Sequence, residues 1–394
     1  MILYYNKETN HWFHSDKKNN YFLGAKQYPI EQQEAILGSL TFSVREKNGR
    51  LGPLIGILVH YNEMGKFVGN EAFLSSLARK IILCKAIPVL LPFENIKNEQ
   101  ITGAIWDRRN QQWIQGQVPL PDCVFNRVSS RKLEKTKRFQ EAISFIKEQQ
   151  IPLFNPHFLD KFETYQLFQK NTLLRPLQPE TIFVESREQL LAFLQTWKTI
   201  YLKPCANFKG NGLFIVKMLD GGKVSTRHYY KKDSFSNFQH FWRRKREMLL
   251  SKRFIAQQAI IPAKVNGRRY DYRILAHASD DTGYEIIGIG VRKAAPHNVT
   301  THIPRGGRLL PYRSFQSETL DRQFHSIVNE VGKELTNHYG FFGEFSLDIG
   351  EAADGTLKIY EVNSKPMSFD EKPIEEKRLK HLCELFLQRT IFAD

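Results

Sequence analysis

The chain has 394 residues, 41% hydrophobic and 25% charged, which fits a folded globular protein of two or three domains and excludes a disordered one. No apolar run approaches the roughly 20 residues that cross a bilayer, and MILYYNKETNHWFHS lacks a charged segment leading into an apolar one, so a cytoplasmic protein is expected rather than a secreted one. The formal charge of +16 points to anionic partners, yet its short clusters are dispersed, from Lys17-Lys18 to Arg268-Arg269, without a basic tail, helix-turn-helix or zinc-finger pattern, which argues against a nucleic-acid binder.

Residues 1 to about 50 read as a small β element, with an Asn48-Gly49 turn between two strands of LTFSVREKNGRLG. Leu54 to His60 is a continuous apolar run, as in a strand buried on both faces. A helix over Glu71–Lys85, with Phe73, Leu77, Ile81 and Ile82 on one stripe, and a strand over Ile87–Leu91 complete a βαβ unit. Strands are expected at Ile101–Trp106 and Cys123–Asn126, and a helix at Arg131–Gln150 with Leu133, Phe139, Ile143 and Ile146 inward. A boundary near Ile151-Pro152 follows. The four cysteines, Cys84, Cys123, Cys205 and Cys383, form no CxxC or Cys/His cluster and fit reduced thiols better than a zinc site or disulfide framework.

Beyond the boundary, Pro156–Asn171 is expected to be helical with Lys161 in its first turns. Ser186 opens a helix to Trp197, and Ser186 to Gln189 has the form of a capping box. Thr199–Lys203 and Leu213–Met218 form a hairpin-like pair around the loop Pro204–Gly212. Phe238–Ser251 is a basic helix. Strands follow at Arg253–Ile261, Tyr270–Ala278 and Glu285–Arg292, then helices at Leu320–Tyr339 and Ile374–Arg389.

The segment Gly343 to Pro366, GEFSLDIGEAADGTLKIYEVNSKP, carries the densest chemistry. A two-residue turn at Asp354-Gly355 pairs Ala353 with Thr356, Ile349 with Tyr360, and Asp348 with Glu361. Phe345, Leu347, Ile349, Tyr360 and Val362 then share an apolar face. Asp348, Glu361 and Asn363 share the other, beside Glu344 and Ser346. Two facing carboxylates repel each other, and a divalent cation between them turns that cost into binding; Mg²⁺ favours such hard oxygen ligands together with phosphate. An ordinary exposed hairpin face is the alternative.

Three stretches could handle phosphate. Lys203 ends a strand and precedes Pro204–Gly212, whose Lys209, Gly210 and Gly212 could fold over phosphate oxygens, although GxxxxGK[ST] is absent. A plain glycine-containing hairpin is the alternative. Arg273 lies two residues from Asp271 on one strand face, as a carboxylate-oriented phosphate fork or as a simple ion pair. His297–Thr301 leads to Arg305-Gly306-Gly307, a polar loop able to approach a phosphate or a plain turn.

Taken in order, FNPHFLDK, LQPET, YLKP with KGNG, FIAQQAI, DYRILAH, NVTTHIPRGG, SLDIG and YEVNSKP resemble the ATP-grasp superfamily over Asn155 to Asn363. Within it the chain resembles the endospore coat-associated YheC/YheD-type family, and PLIGILVHYN and FNRVSSR fit the domain that precedes the grasp. The resemblance implies an α/β (α+β) fold: a short N-terminal β element (1–50), a small α/β pre-ATP-grasp domain (51–152) and an ATP-grasp domain (153–394). It implies ATP and Mg²⁺ as cofactors. Lys161 and Lys203 would hold the α- and β-phosphates, and Lys209 to Gly212 would cover the triphosphate. Gln257, Gln258 and Ile260 would lie in the hinge that meets adenine. Arg273 would face the γ-phosphate or acyl phosphate, with Lys203 beside it in the catalytic set. Asp348, Glu361 and Asn363 would carry the metal.

The activity implied is an ATP-dependent carboxylate–amine (or thiol) ligase working through an acyl phosphate, linked to sporulation or the spore coat, with an unidentified carboxylate and amine as substrates. The alternative is a catalytically weak or inactive scaffold of the coat. One departure stands out: Gln257 to Lys264, QQAIIPAK, lacks the acid that holds the ribose in many ATP-grasp proteins.

Overall fold

The computed structural model describes all residues except 18–19, 206–211, 229–230, 280–282, 297–300, 302, 304–305 and 394. Four sheets succeed one another along the chain.

The first contains seven strands between Ile2 and Gly52, in the order Leu40–Ser43, Ile2–Asn6, His11–His14, Tyr28–Gln32, Tyr21–Leu23, Arg50–Gly52, Arg45–Lys47. Asn48 and Gly49 both take positive φ, 54° and 74°, and pair Lys47 with Arg50. This is the turn the Asn-Gly dipeptide favours. Tyr5, Trp12, Phe42 and Leu51 of this sheet share one core with Leu54, Leu58, Ile87 and Phe139 of the next.

The second sheet runs Gln112–Pro119, Gln100–Asp107, Ile87–Pro92, Leu54–Tyr61, Cys123–Asn126, Leu153–Phe154, and its last four strands are parallel. Leu54 to His60 is buried throughout, as an apolar strand covered on both faces must be. Helix Glu71–Leu83, capped by Asn70, buries its expected stripe. The expected helix Arg131–Gln150 forms instead as Arg131–Glu134 and Lys137–Glu148. Thr136 accepts from the Phe139 N–H and starts a second helix, because a threonine hydroxyl at that position satisfies an otherwise orphaned donor. Leu133 is only partly buried and Glu134 lies inside, against Lys365.

The third sheet is antiparallel: Thr181–Phe183, Phe254–Gln258, Thr199–Pro204, Phe214–Met218, Val224–His228, Lys231–Phe235. Helices Arg187–Trp197 and Phe238–Ser251 pack on it through Leu190, Leu194, Phe241 and Leu249, which meet Ile200, Leu202 and Val216. Ser186 accepts from Gln189 N at 3.2 Å, while the Gln189 side chain reaches back to Glu185 N.

The fourth sheet, also antiparallel, is Arg308–Leu310, Tyr284–Lys293, Arg268–Ala278, Glu344–Glu351, Leu357–Asn363. Helix Glu318–Tyr339 covers one face, with Phe324, Val328, Val331 and Leu335 against Tyr272, Ile274, Leu347 and Ile349. The closing helix Lys372–Gln388 leaves this sheet for the second one, where Leu382, Leu385 and Phe386 meet Ile55, Phe125 and Phe154. The fold is thus the expected mixture of helices with parallel and antiparallel sheets.

Candidate active site

The face of the fourth sheet turned away from helix Glu318–Tyr339 is set by cross-strand register. Residues directly opposite in an antiparallel pair project to the same side. Asp271 lies opposite Arg292, Arg273 opposite Asp348, Asp348 opposite Glu361, and Ser346 opposite Asn363. Asp271, Arg273, Arg292, Asp348, Glu361 and Asn363 therefore share one face, away from the core residues Tyr272, Leu347 and Ile349.

The facing acids occur as expected, by a different route. Thr356, expected opposite Ala353, pairs instead with Ala352, whose N–H donates to Thr356 O at 2.8 Å. The loop is Ala353 to Gly355, and within it only Gly355 has positive φ, 84°. This three-residue turn moves the register by one, so Ile349 faces Ile359. Tyr360 is then an extra residue, and this bulge restores the pairing of Asp348 with Glu361. Leu357 and Ile359 enter the core, while Tyr360 swings over Gly350. A Cβ on Gly350 would sit 2.1 Å from the Tyr360 ring, so glycine is required there.

Each acid has a cationic partner. Arg292 donates from Nη2 to Asp348 Oδ1 at 2.8 Å and from Nε to Asp271 Oδ1 at 3.0 Å. Burial opposes its charge, but Asp348 and Asp271 outweigh that and hold its pKa above the usual arginine value. Lys161 Nζ lies 2.5 Å from Glu361 Oε1. It is the first residue of helix Lys161–Gln169, which Asp160 caps through the N–H groups of Phe162 and Glu163. The helix is shorter than Pro156–Asn171 because it starts only at that cap.

Lys203 comes from the third sheet. Ile200 and Leu202 point into that sheet's core, so Tyr201 and Lys203 project to the opposite face, with Ile255 and Gln257 as cross-strand neighbours. Lys203 Nζ donates to Gln257 Oε1, and Gln257 Nε2 donates to Thr181 Oγ1 at 3.0 Å. Burial pushes the Lys203 ammonium down to about 8, against the pull of Glu361 and Asp348 and together with repulsion from Lys161. Lys203 thus senses both acids of the fourth sheet. Lys161, Lys203, Gln257, Tyr360 and Glu361 line one narrow cleft that opens to solvent.

Gln258 faces the other way, its Oε1 accepting from Glu180 N. The Ala259 N–H donates to Thr199 O, and Ile260 follows in the segment whose next residue, Ile261, accepts from Ala353 N at 2.8 Å. The turn of the acidic hairpin is thereby tied to the segment joining the third and fourth sheets. Glu180 stands beside this segment, its backbone paired with Gln258 and its carboxylate accepting from Tyr165 Oη at 3.4 Å. An acid thus comes near the hinge from a neighbouring strand, which QQAIIPAK alone could not show.

Arg273 is not oriented by Asp271. Asp271 is occupied by Arg292 and by the Thr301 hydroxyl. Arg273 instead donates to Met367 O at 2.8 Å and stacks 4.4 Å from the Phe369 ring centroid. Arg292, unremarked in the sequence, makes the pairing with Asp271 that was expected of Arg273. The Asp-x-Arg spacing gave a plausible partner along the strand, whereas the true partner lies across it. Arg131 was also missed; burial lowers its pKa, and Glu361 is the first of the acids that oppose this.

Glu344, expected beside the site acids, is fully buried. Burial pushes its carboxyl up, but Arg378, His277 and Arg127 outweigh that and hold it well below the usual carboxylate range. Glu371 Oε1 is buried without a hydrogen-bond partner among the described residues, 2.5 Å from where a Cβ on Gly290 would stand. Burial and Asp370 raise its pKa. Gly212 has φ 78°. Lys209, Gly210, His297–Thr300 and Arg305 lie outside the described residues.

Asp348, Glu361 and Asn363 offer hard oxygen donors on one face, two of them carboxylates in register, with cationic side chains arrayed around them. That donor chemistry fits Mg²⁺ bound together with phosphate oxygens.

Residues 150–392 match the YheC/D like ATP-grasp family model. The chain belongs to this family. It is 25% identical over 284 residues to the endospore coat-associated protein YheD of Bacillus subtilis (strain 168), covering 69% of this chain and 62% of YheD. The chain therefore spans less than two thirds of that relative. It is 24% identical over 311 residues to the endospore coat-associated protein YheC of the same organism, covering 75% of this chain and 85% of YheC. Among solved structures, the ATP-grasp ligase PsnB complexed with minimal precursor aligns with a TM-score of 0.52 at 12% identity, over 86% of this chain and 99% of that one. This likeness concerns the fold. The ATP-grasp family binds ATP with Mg²⁺ in general. No helix among the described residues is long and apolar enough to cross a membrane.

Proposed function

We propose that this YheC/D-like ATP-grasp protein binds Mg-ATP and is an ATP-dependent carboxylate–amine (or thiol) ligase that forms an acyl phosphate. The observation carrying the reading is the in-register pair Asp348 and Glu361, bordered by Arg292 and Lys161, with Lys203 brought to both from the other sheet. An uncompensated acid pair would weaken a hairpin; this one sits where two sheet strands and a helix deliver Arg292, Lys203 and Lys161 to it.

Asp348, Glu361 and Asn363 would hold Mg²⁺, which when bound supplies Lewis-acid neutralisation of phosphate charge. Lys161 and Lys203 would bind the α- and β-phosphates, and Lys209, Gly210 and Gly212 would close over them. Gln257, Gln258 and Ile260 would border the adenine, with Glu180 as the ribose acid. Arg273 and Arg292 would orient the transferred phosphoryl and the carboxylate that receives it. Positioning and charge neutralisation supply most of the rate in such chemistry.

We assign residues 1–50 to an N-terminal β element, 51–152 to a pre-ATP-grasp domain and 153–394 to the grasp domain. The carboxyl ends of Leu54–Tyr61 and Cys123–Asn126 border the acceptor side, as in other open parallel sheets. Association with the spore coat is proposed from the names of YheC and YheD.

A coat scaffold without turnover is the second reading. It is favoured by the ion pairs themselves: Asp348 and Glu361 are already neutralised by protein cations, so the fold does not require a metal there. Calorimetry with Mg-ATP and Mg-AMPPNP, followed by ADP release with amino acids, peptides and cell-wall fragments, separates the readings. Saturable uptake with ADP release in one pool supports the ligase. Uptake without turnover in any pool supports the scaffold, and absence of Mg-dependent uptake overturns both nucleotide assignments.

A further inference from the structure

Far from the nucleotide cleft, two cysteines separated by nearly the whole grasp domain meet. Cys84 caps the carboxyl end of helix Glu71–Leu83, and Cys383 lies in the closing helix Lys372–Gln388. These helices pack directly together, and Leu77, Ile81, Leu382 and Phe386 form one apolar cluster in which Cys84 and Cys383 both lie. The two sites differ in access. Cys383 is buried, whereas Cys84 is half-buried and opens on a cleft of about 640 Å³ that Arg45, Lys47, Lys85 and Phe392 help to line.

We propose that Cys84 and Cys383 are a thiol–disulfide couple, in which Cys84 is the attacking thiol and Cys383 the resolving one, responding to low-molecular-weight disulfides. Three features support it. The hydrogen bond from Cys383 and the charges of Lys80 and Arg45 lower the Cys84 thiol to about 7, against burial and the carboxylate of Glu384. Sharing its proton with the Cys84 sulfur, together with burial, holds the Cys383 thiol well above its usual value. A thiol of low pKa, reached through a basic cleft and backed by a second cysteine, is the arrangement found at redox-responsive sites. The other two cysteines lack it: Cys123 and Cys205 are buried, and burial raises both thiols.

The step balances as an exchange. The Cys84 thiolate attacks one sulfur of a disulfide RSSR, whose S–S bond breaks and releases RS⁻. Cys383 then loses its proton, and its sulfur displaces the second RS⁻ from Cys84. The two protein thiols are oxidised, RSSR is reduced to two RSH, and the two thiol protons go to the released thiolates. The product ties the closing helix to helix Glu71–Leu83. The same closing helix carries Arg378, which holds Glu344 and the Pro366 carbonyl just beyond the acidic hairpin.

The full chain, reduced and then exposed to glutathione disulfide while folded, tests this. Two of its four thiols should disappear, the intact mass should show loss of two hydrogens, and a non-reducing peptide map should join the peptides of Cys84 and Cys383. Dithiothreitol should reverse all three, and oxidation should raise the melting temperature. Cys383→Ser should instead retain one glutathionyl group on Cys84, and Cys84→Ser should remain unmodified. The proposal is overturned if the folded wild type keeps all four thiols, if the adduct on Cys84 persists without a second thiol lost, or if the map joins another pair. The wild-type map decides the matter even should a variant fold poorly.

Discussion

Replacing Arg292 by methionine tests the electrostatic frame of the site. The side chains of Arg292, Asp271 and Asp348 are 5%, 12% and 14% exposed, and one guanidinium serves both acids at 3.0 and 2.8 Å. Methionine fills much of the volume but takes the guanidinium away from two largely buried carboxylates. Removing one member of a buried ion pair costs about 3–5 kcal/mol, most of it from the stranded charge. At about 2–4 °C per kcal/mol for a domain of this scale, the melting temperature should fall by roughly 6–20 °C. Arg292→Lys keeps the charge but cannot fork between two acids, so about 1.5–3 kcal/mol of charged hydrogen bonding should be lost. Differential scanning calorimetry with and without MgCl₂ gives the answer. Added Mg²⁺ should recover part of the Arg292→Met deficit, because a cation on Asp348 replaces the missing charge, and should help the wild type less. A loss under about 1 kcal/mol, typical of an exposed pair, would refute the reasoning.

Three further outcomes follow from the same geometry. Glu361→Gln removes a proposed metal ligand and the partner of Lys161, an ion pair whose side chains are 16% and 28% exposed; stability should change by about 1 kcal/mol or less, while Mg-dependent nucleotide affinity measured by calorimetry should fall by roughly tenfold or more. Lys203 sits at about 8 rather than its ordinary 10.5. Below pH 8 it is charged in folded and unfolded chains alike and its burial cost is fully present. As pH rises from about 8 toward 10.5 the folded lysine loses its proton and the cost is relieved. Nucleotide phosphate favours the charged form, so affinity should weaken as pH rises through 8, with proton uptake on binding near that pH. Calorimetry in buffers of different ionisation enthalpy reads this, and uptake of no proton would assign the phosphate contact elsewhere. Lys365→Met strands Glu134, in a pair whose side chains are 4% and 5% exposed; chemical denaturation should show a loss of about 3–5 kcal/mol, and an unchanged midpoint would contradict the buried pairing.

What the sequence disclosed tracks how local each signal is. Helix Phe238–Ser251 forms over the bounds read from the sequence, with Asn237 capping its start, and the Asn48-Gly49 turn follows from backbone preference at two residues. The seven-stranded N-terminal sheet was legible only as a β element. His11–His14 pairs in parallel with Tyr28–Gln32, and Tyr21–Leu23 in parallel with Arg50–Gly52, pairings that no local pattern encodes.

The acidic hairpin shows the same limit inside a correct result. Counting back from Asp354-Gly355 put Asp348 opposite Glu361, although the turn holds three residues and Tyr360 bulges, because the two shifts of one residue cancel. The facing of the acids is therefore a property of turn and bulge together. Shortening the turn without removing the bulge would carry Asp348 one position out of register with Glu361, and side-chain alternation would then turn one carboxylate toward the core. Arg292 marks the other boundary of what sequence can tell. Its partners, Asp271 and Asp348, come from two strands, both flanked by apolar residues that look alike in sequence. Only the order of strands in the sheet decides which arginine, Arg273 or Arg292, meets the acids. Chemistry that depends on neighbours along the chain can be read from residues; chemistry shared across strands waits on topology.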